Sequence, residues 1–323
     1  QAPEVFSLPD MIDIMRPKFK AAKEKAAANS TDTVKRGVGV AIGIYGCGLD
    51  GPDSAESWAQ YNEDGTVTIG VCWGDHGQGA DAGALGTAHE ALRPLNIAAD
   101  KIRLVMNDTS KAPVGGPAGG SRSQLVVGNA IRVACETLIE AMKKPGGGFY
   151  TYDEMKAEGR EVRQYGKWTT PCTSPGEPFC CYMYGLFMAE VAVDITTGKT
   201  AVEKLTMIAD IGKVNNRLVT DGQLYGGLAQ GIGLALTEDY EDIKKHSTLI
   251  GAGLPYIKDV PDDIELIYLE NSRKDGPFGA SGVGELPLTA PHAAIINAIY
   301  QACGARVRHL PARPEKVLAA LKK

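Results

Sequence analysis

Apolar residues along the chain follow two periods: short continuous or alternating runs suited to strands, and longer runs spaced for helices. Residues 36–45 are a continuous apolar run of strand length, and residues 66–72 place Val67, Ile69 and Val71 on alternate positions. These two strands are expected to pair antiparallel across a long connection that ends in a turn at Asn62-Glu63-Asp64-Gly65. Further strands are expected at 102–106, 186–194, 200–209, 264–269 and 306–310, with a turn at Thr196-Thr197-Gly198. Helical spacing is read at 81–92, 124–143, 221–236 and 290–303, and Pro314 opens a last short helix to Leu321. Ser7-Leu8-Pro9-Asp10 has the form of a capping box before Met11, Ile12 and Ile14, with Pro17 bending or dividing the helix that follows. Residues 18–28, rich in Lys and Ala, read as an exposed arm that packs on another part of an assembly. Residues 144–178, rich in Pro, Gly, Thr and charge, read as an excursion between two halves.

Four segments of small residues interrupt this pattern, at 74–79, 115–123, 221–233 and 279–285. The last belongs to Gly-Ala-Ser-Gly-Val-Gly-Glu-Leu-Pro-Leu at 279–288, and its Glu285 is the only charge between Asp275 and His292. Flanked by Val283, Leu286 and Leu288, this carboxylate is expected to be partly desolvated, which suits a general base; otherwise it is a surface residue capping the next helix. Trp-Gly-Asp-His-Gly-Gln-Gly-Ala-Asp at 73–81 ends a strand and opens a helix, where free N–H groups and a positive dipole end suit an anionic ligand. The purely structural alternative is a tight strand–helix turn with an Asp as the helix N-cap. Residues 113–123 carry almost no side-chain bulk, and Ser121, Arg122 and Ser123 add donors suited to a diphosphate, unless the segment is a linker. The helix at 221–236 holds Gly222, Gly226, Gly227, Gly231 and Gly233, which either tight packing or a close cofactor would explain, and Gln223 falls in its first turn.

Composition removes several classes. At 323 residues the chain is long enough for two domains, and a net charge of −5 leaves no basic footprint for nucleic acid. No apolar run reaches membrane-spanning length. The 7 cysteines are irregularly spaced with no C-x-x-C, so neither a disulfide framework nor an iron–sulfur run is expected, and Cys180-Cys181 reads as incidental. The 5 histidines form no zinc motif, and neither G-x-G-x-x-G nor a Walker A sequence is present to support a nucleotide-dependent enzyme. Gln1-Ala2-Pro3-Glu4 does not begin with Met and lacks a signal pattern, so the chain is expected to be processed or a piece of a longer one.

The stretch Gly-Val-Gly-Glu-Leu-Pro-Leu at 282–288 resembles the Gly-Glu motif of the molybdenum hydroxylases, the xanthine oxidase and aldehyde oxidoreductase family. Gly-Gln-Gly at 77–79, the small-residue loop at 115–123 and Gly-Gln-x-x-Gly-x-x-x-Gln-Gly at 222–231 are similar to that family's motifs in order and approximate spacing, so the resemblance runs from about residue 36 to 321. His76 stands where the purine-oxidising branch usually has an apolar residue, which leans towards bacterial aldehyde oxidoreductases of the Desulfovibrio type.

The resemblance implies an α+β fold of mixed sheets with packed helices, in two related molybdopterin-binding subdomains. It divides the chain into a helical arm (1–35), a first subdomain (36–178, with the excursion at 144–178) and a second subdomain (179–323) that carries Glu285. It implies molybdenum-dependent oxidation of aldehydes to carboxylic acids with water as oxygen source, Glu285 acting as base and electrons leaving to iron–sulfur clusters. Molybdenum would be held by the dithiolene of a molybdopterin cytosine dinucleotide, with no side chain as direct ligand. Gln78, Gly119 and Gly120 would face the metal's ligands. Ser121, Arg122, Ser123 and Gln223 would hold pterin and phosphates, and His76, Gly77, Gly79, Ala118, Ser281, Gly282, Val283 and Gly284 would complete the lining. The family's iron–sulfur cysteine segments and its Gly-Gly-Gly-Phe-Gly segment are absent. The implied partners are therefore a remaining N-terminal part bearing 2Fe-2S clusters, a small aldehyde and a second copy in a homodimer, in the cytoplasm or else the periplasm, with FAD left open. Two alternatives stand beside this: a purine or heterocycle hydroxylase of the same family, and a non-catalytic cofactor-binding fragment.

Overall fold

The computed structural model describes residues 5–171 and 179–322. Gln1 to Glu4, and the stretch 172–178 that includes Cys172 and ends the expected excursion, lie outside the described residues. In chain order the elements are α1 (Leu8–Asn29), β1 (Val34–Gly46), β2 (Ser54–Tyr61), β3 (Val67–Val71), α2 (Ala80–Ala91), β4 (Ile102–Met106), α3 (Ser123–Met142), α4 (Tyr152–Ala157) and β5 (Arg163–Thr169). They continue with β6 (Tyr182–Asp194), β7 (Thr200–Asp210), α5 (Arg217–Leu236), β8 (Ile264–Tyr268), α6 (Pro291–Cys303) and α7 (Pro314–Leu321).

Two four-stranded mixed sheets organise these elements, in the orders β1-β6-β7-β8 and β4-β3-β2-β5. The architecture is α+β, as expected. The expected pairing of β1 with β3 is not formed. β1 runs antiparallel to β6, from Val34 opposite Asp194 to Gly46 opposite Tyr182, while β3 lies between β2 and β4. The reason lies in the two faces of β1. Successive residues of a strand point to opposite sides of its sheet. Val38 packs with Tyr184, Leu186 and Met188 under α1. Gly37 and Gly39 face the other way, where a Cβ would fall 2.3 Å from the Ala298 carbonyl oxygen and 2.2 Å from the Ala298 nitrogen of α6. The glycines of this apolar run are therefore a seat for α6.

Helix α1 is not an arm reaching elsewhere. Met11 and Met15 are buried at 0% and 3% exposure against the first sheet, and Lys18 pairs with Glu265 at 2.5 Å. Burial of each such side chain is worth about 1.5–3 kcal/mol, enough to hold the helix down. Pro17 lies inside one continuous helix rather than dividing it. Ser7 makes no capping hydrogen bond; its hydroxyl donates to the buried Asp210 instead. Residues 306–310 form no strand, and Val307 is buried without a strand partner. Strand β5 lies within the expected excursion and pairs with β2.

The sheets do not divide at residues 178 and 179. β1 sits in the sheet otherwise built from residues 182–268, and one apolar cluster runs from Ile69 and Ile131 to Met207 and Ile295. Among the described residues, no helix is long and apolar enough to cross a membrane.

Candidate functional site

The cleft of about 500 Å³ between the two sheets' helices is built from loops that end β3 and β7 and open α2, α3 and α5. After β3 the chain turns through Asp75. Its carboxylate accepts from the Gly77 N–H at 2.7 Å and the Ala80 N–H at 2.8 Å. Asp75 therefore caps α2, and Gly79 at φ 79° fills the cap position that a side chain would strain. The Gly77 N–H, with those of Ala80, Gly79 and Asp81, holds the Asp75 carboxyl below its usual range against the opposing effect of burial. Gln78 closes the loop on itself: its Oε1 accepts from the His76 N–H and its Nε2 donates to the Gly74 carbonyl. His76 is exposed at the rim.

The second loop ends in Ser121 at φ 53°, a left-handed conformation that a non-glycine residue keeps only when its surroundings impose it. Those surroundings are named partners. The Ser121 hydroxyl donates to Glu285 and accepts from the Glu285 N–H at 3.0 Å, and the Gly120 N–H donates to Glu285 Oε1 at 3.0 Å. Cys47, fully buried, donates its thiol to the Ser121 carbonyl at 3.2 Å and accepts from the Gly282 N–H at 3.3 Å. A hydrogen bond with the Cys181 thiol, followed by burial, pushes Cys47 well above its usual pKa, so it remains a donor. Burial also raises the Tyr45 phenol, and the charge of Glu285 together with a hydrogen bond to it adds to the rise.

Arg122 corrects an expectation. Its side chain is 0% exposed and turned away from the cleft. Nε and Nη2 grip Asp53 at 2.6 and 2.8 Å, Nη1 donates to the Gly115 and Pro117 carbonyls, and Nη2 donates to that of Ser54. A guanidinium has five N–H groups, and here all five are committed, so none remains for a diphosphate. Arg122 instead folds the loop that presents Gly119 to Ser121.

The third loop, 279–285, is fastened by the Ser281 N–H and hydroxyl to the Ile211 carbonyl at 2.9 and 2.6 Å. Gly282 packs directly on the second loop, where a Cβ would sit 1.8 Å from the Ser121 carbonyl oxygen. Gly282→Ala must displace one loop from the other. Overpacking of this kind costs about 1–3 kcal/mol. Thermal unfolding should record a lower midpoint and turnover should fall with it; an unchanged midpoint and rate would show that the contact does not matter.

Helix α5 starts earlier than its apolar pattern suggests, with Asn216 as the cap accepting from the Val219 N–H. Gln223 therefore lies in the second turn, donating to the Gly284 carbonyl at 2.7 Å. Asn215 ties α5 to α2 and α3 through the Gly83 carbonyl and Gln124. Of the expected site residues, the structure brings His76, Gly77, Gln78, Gly79, Ala118, Gly119, Ser121, Ser123, Gln223, Ser281, Gly282, Val283, Gly284 and Glu285 to one cleft. Gly120 and Arg122 lie behind it. Lys213, Asn215 and Asn216 also line it and were not expected. The Asn-Asn pair ahead of an apolar helix was a legible cap signal, whereas irregular spacing left Cys47 without one.

First turns of α2, α3 and α5 all face this space, through Ala80, Ser123 and Val219 respectively. Each brings the positive end of a helix dipole, which favours an anion, with the Ala80 N–H of α2 already taken by Asp75 and the Val219 N–H of α5 by Asn216.

Residues 15–261 match the sequence model of a family described as a molybdopterin cofactor-binding domain. The chain is 61% identical over 329 aligned residues to the aldehyde oxidoreductase of Megalodesulfovibrio gigas, spanning 100% of this chain and 36% of that protein. It is 28% identical over 313 residues to a probable hypoxanthine oxidase of Escherichia coli strain K12, spanning 89% of this chain and 32% of that one. The crystal structure of the aldehyde oxidoreductase from Desulfovibrio desulfuricans superimposes with a TM-score of 0.97 at 69% identity, covering 99% of this chain and 36% of that one. The chain thus spans about a third of the length of these relatives, 36% and 32% of the two sequences.

Proposed function

The chain belongs to the molybdopterin cofactor-binding domain family, and on that premise we propose that it forms the molybdenum-cofactor-binding part of an aldehyde oxidoreductase, converting aldehydes to carboxylic acids with water as the oxygen source. The observation that carries this reading is the single carboxylate of Glu285, held by the Gly120 N–H and the Ser121 hydroxyl, in a cleft onto which three helix first turns open.

The residues present fit the group. A Cβ on Gly119 would meet nothing within 4 Å, so the loop offers bare main chain to the cleft. The lining is rich in amide and hydroxyl groups, from Gln78, Ser123, Asn215 and Gln223, suited to pterin edges and phosphate oxygens. When bound, the molybdenum–pterin group supplies Lewis acidity and takes up the two electrons released as the aldehyde is oxidised. The protein supplies position and proton transfer. Gly120 and Ser121 fix the Glu285 carboxylate, and each carboxylate oxygen keeps lone-pair capacity beyond one hydrogen bond, so Glu285 can take up the proton released from water. Cys47 and Gly282 keep the two loops in register around it. The reading includes the cytosine dinucleotide form of the pterin, 2Fe-2S clusters in the remainder of a longer enzyme, and a cytoplasmic homodimer. The likeness to aldehyde oxidoreductases and to the molybdopterin-binding family supports the molybdenum cofactor at the centre of this reading.

Metal analysis of the purified holoprotein, with mass spectrometry of the released cofactor, is expected to find molybdenum and a pterin cytosine dinucleotide. A panel of aldehydes and purines is expected to give turnover on the aldehydes. Protein without molybdenum or pterin would end the reading, and turnover on purines alone would move it to the heterocycle hydroxylases.

A further inference from the structure

Charge within the cleft is sparse. Its lining contains one anion, Glu285, and two residues able to carry positive charge, His76 and Lys213. The arginines around it are already committed: Arg122 to Asp53, Arg273 to Asp210, and Arg217 to Asp221. Lys213 is different. It sits in the link between β7 and α5, and its N–H is fixed to the Gly279 carbonyl at 2.9 Å. Its stem lies against the same loop, since a Cβ on Gly279 would meet Lys213 Cγ at 3.1 Å. No hydrogen bond or ion pair engages its ammonium among the described residues. The stem is thus anchored on the loop that carries Glu285, while the ammonium makes no ion pair among the described residues and the residue lines the same cleft as Asn216 and Val219.

We propose that Lys213 is the cation that meets a phosphate of the pterin cofactor, the role that Arg122 cannot fill. An ammonium on a flexible stem binds phosphate as a point charge, and Lys213 lines the same cleft as the first turn of α5, whose dipole favours the same anion. The inference rests on the molybdenum-cofactor reading above and adds the residue that neutralises the phosphate.

The test compares wild type, Lys213→Ala and Lys213→Arg as purified holoproteins, measuring molybdenum and released pterin nucleotide per chain after washing at low and high ionic strength. The lysine is exposed, its ammonium has no partner among the described residues, and alanine keeps the backbone bond to Gly279, so Lys213→Ala should unfold at the wild-type temperature once both are stripped of cofactor. It is expected to retain about tenfold less cofactor after the high-salt wash, the weight of one charge-assisted hydrogen bond. Lys213→Arg is expected to restore most of the content. Wild-type cofactor content in Lys213→Ala at both salts overturns the assignment while leaving the family reading intact. Absence of pterin from wild type itself overturns both.

Discussion

Glu285→Gln is expected to keep the fold and the bound cofactor and to lower turnover about 100- to 10,000-fold, the range a positioned general base supplies. The amide has the shape of the carboxylate. Its oxygen can still accept from the Gly120 N–H, and its NH₂ group can donate to the Ser121 hydroxyl, which in Glu285 is the donor. Ser121 would continue to accept from the backbone N–H at 285. The loops therefore stay in register, and only the capacity to take up a proton is lost. Molybdenum content and thermal midpoint should match wild type while aldehyde turnover falls. Turnover within a few-fold of wild type would remove Glu285 from the chemistry and leave it as the brace between two loops.

Arg122→Met should show the opposite separation, with the loss appearing in stability before it appears in catalysis. Removing the guanidinium leaves Asp53, 7% exposed, as a buried charge without its bidentate partner, and strips donors from three backbone carbonyls. Breaking a buried pair from one side costs about 3–5 kcal/mol. Against a total stability of about 5–15 kcal/mol, that is a large fraction. Urea unfolding should show a markedly lower midpoint, or soluble yield should collapse. The double change Asp53→Leu with Arg122→Met should recover part of the loss, because no charge is then left buried alone. A phosphate-binding arginine would behave differently: the single variant would unfold at the wild-type urea concentration and be depleted only in cofactor.

These two residues also mark the limits of the sequence. Both stand out in it, Glu285 as a lone charge in a run of small residues and Arg122 as a cation between two serines. For Glu285 the local surroundings are most of the answer. The glycines at 282 and 284 allow main chain to come close, and few competing partners are near in sequence. For Arg122 the answer lies with Asp53, 69 residues away. Nothing local to residues 113–123 indicates that the side chain turns inward.

Amphipathic period, small-residue loops and helix signals depend on neighbours within a few positions, so the sequence alone determined most strands and helices and the four segments that shape the cleft. It also determined the order in which those segments meet and the acid at their centre. Strand partners, the inward turn of Arg122 and the free charge of Lys213 were decided by tertiary structure. Each depends on which distant group is within about 3 Å, and hydrogen bonds and ion pairs at that range depend on spatial distance, not on position along the chain.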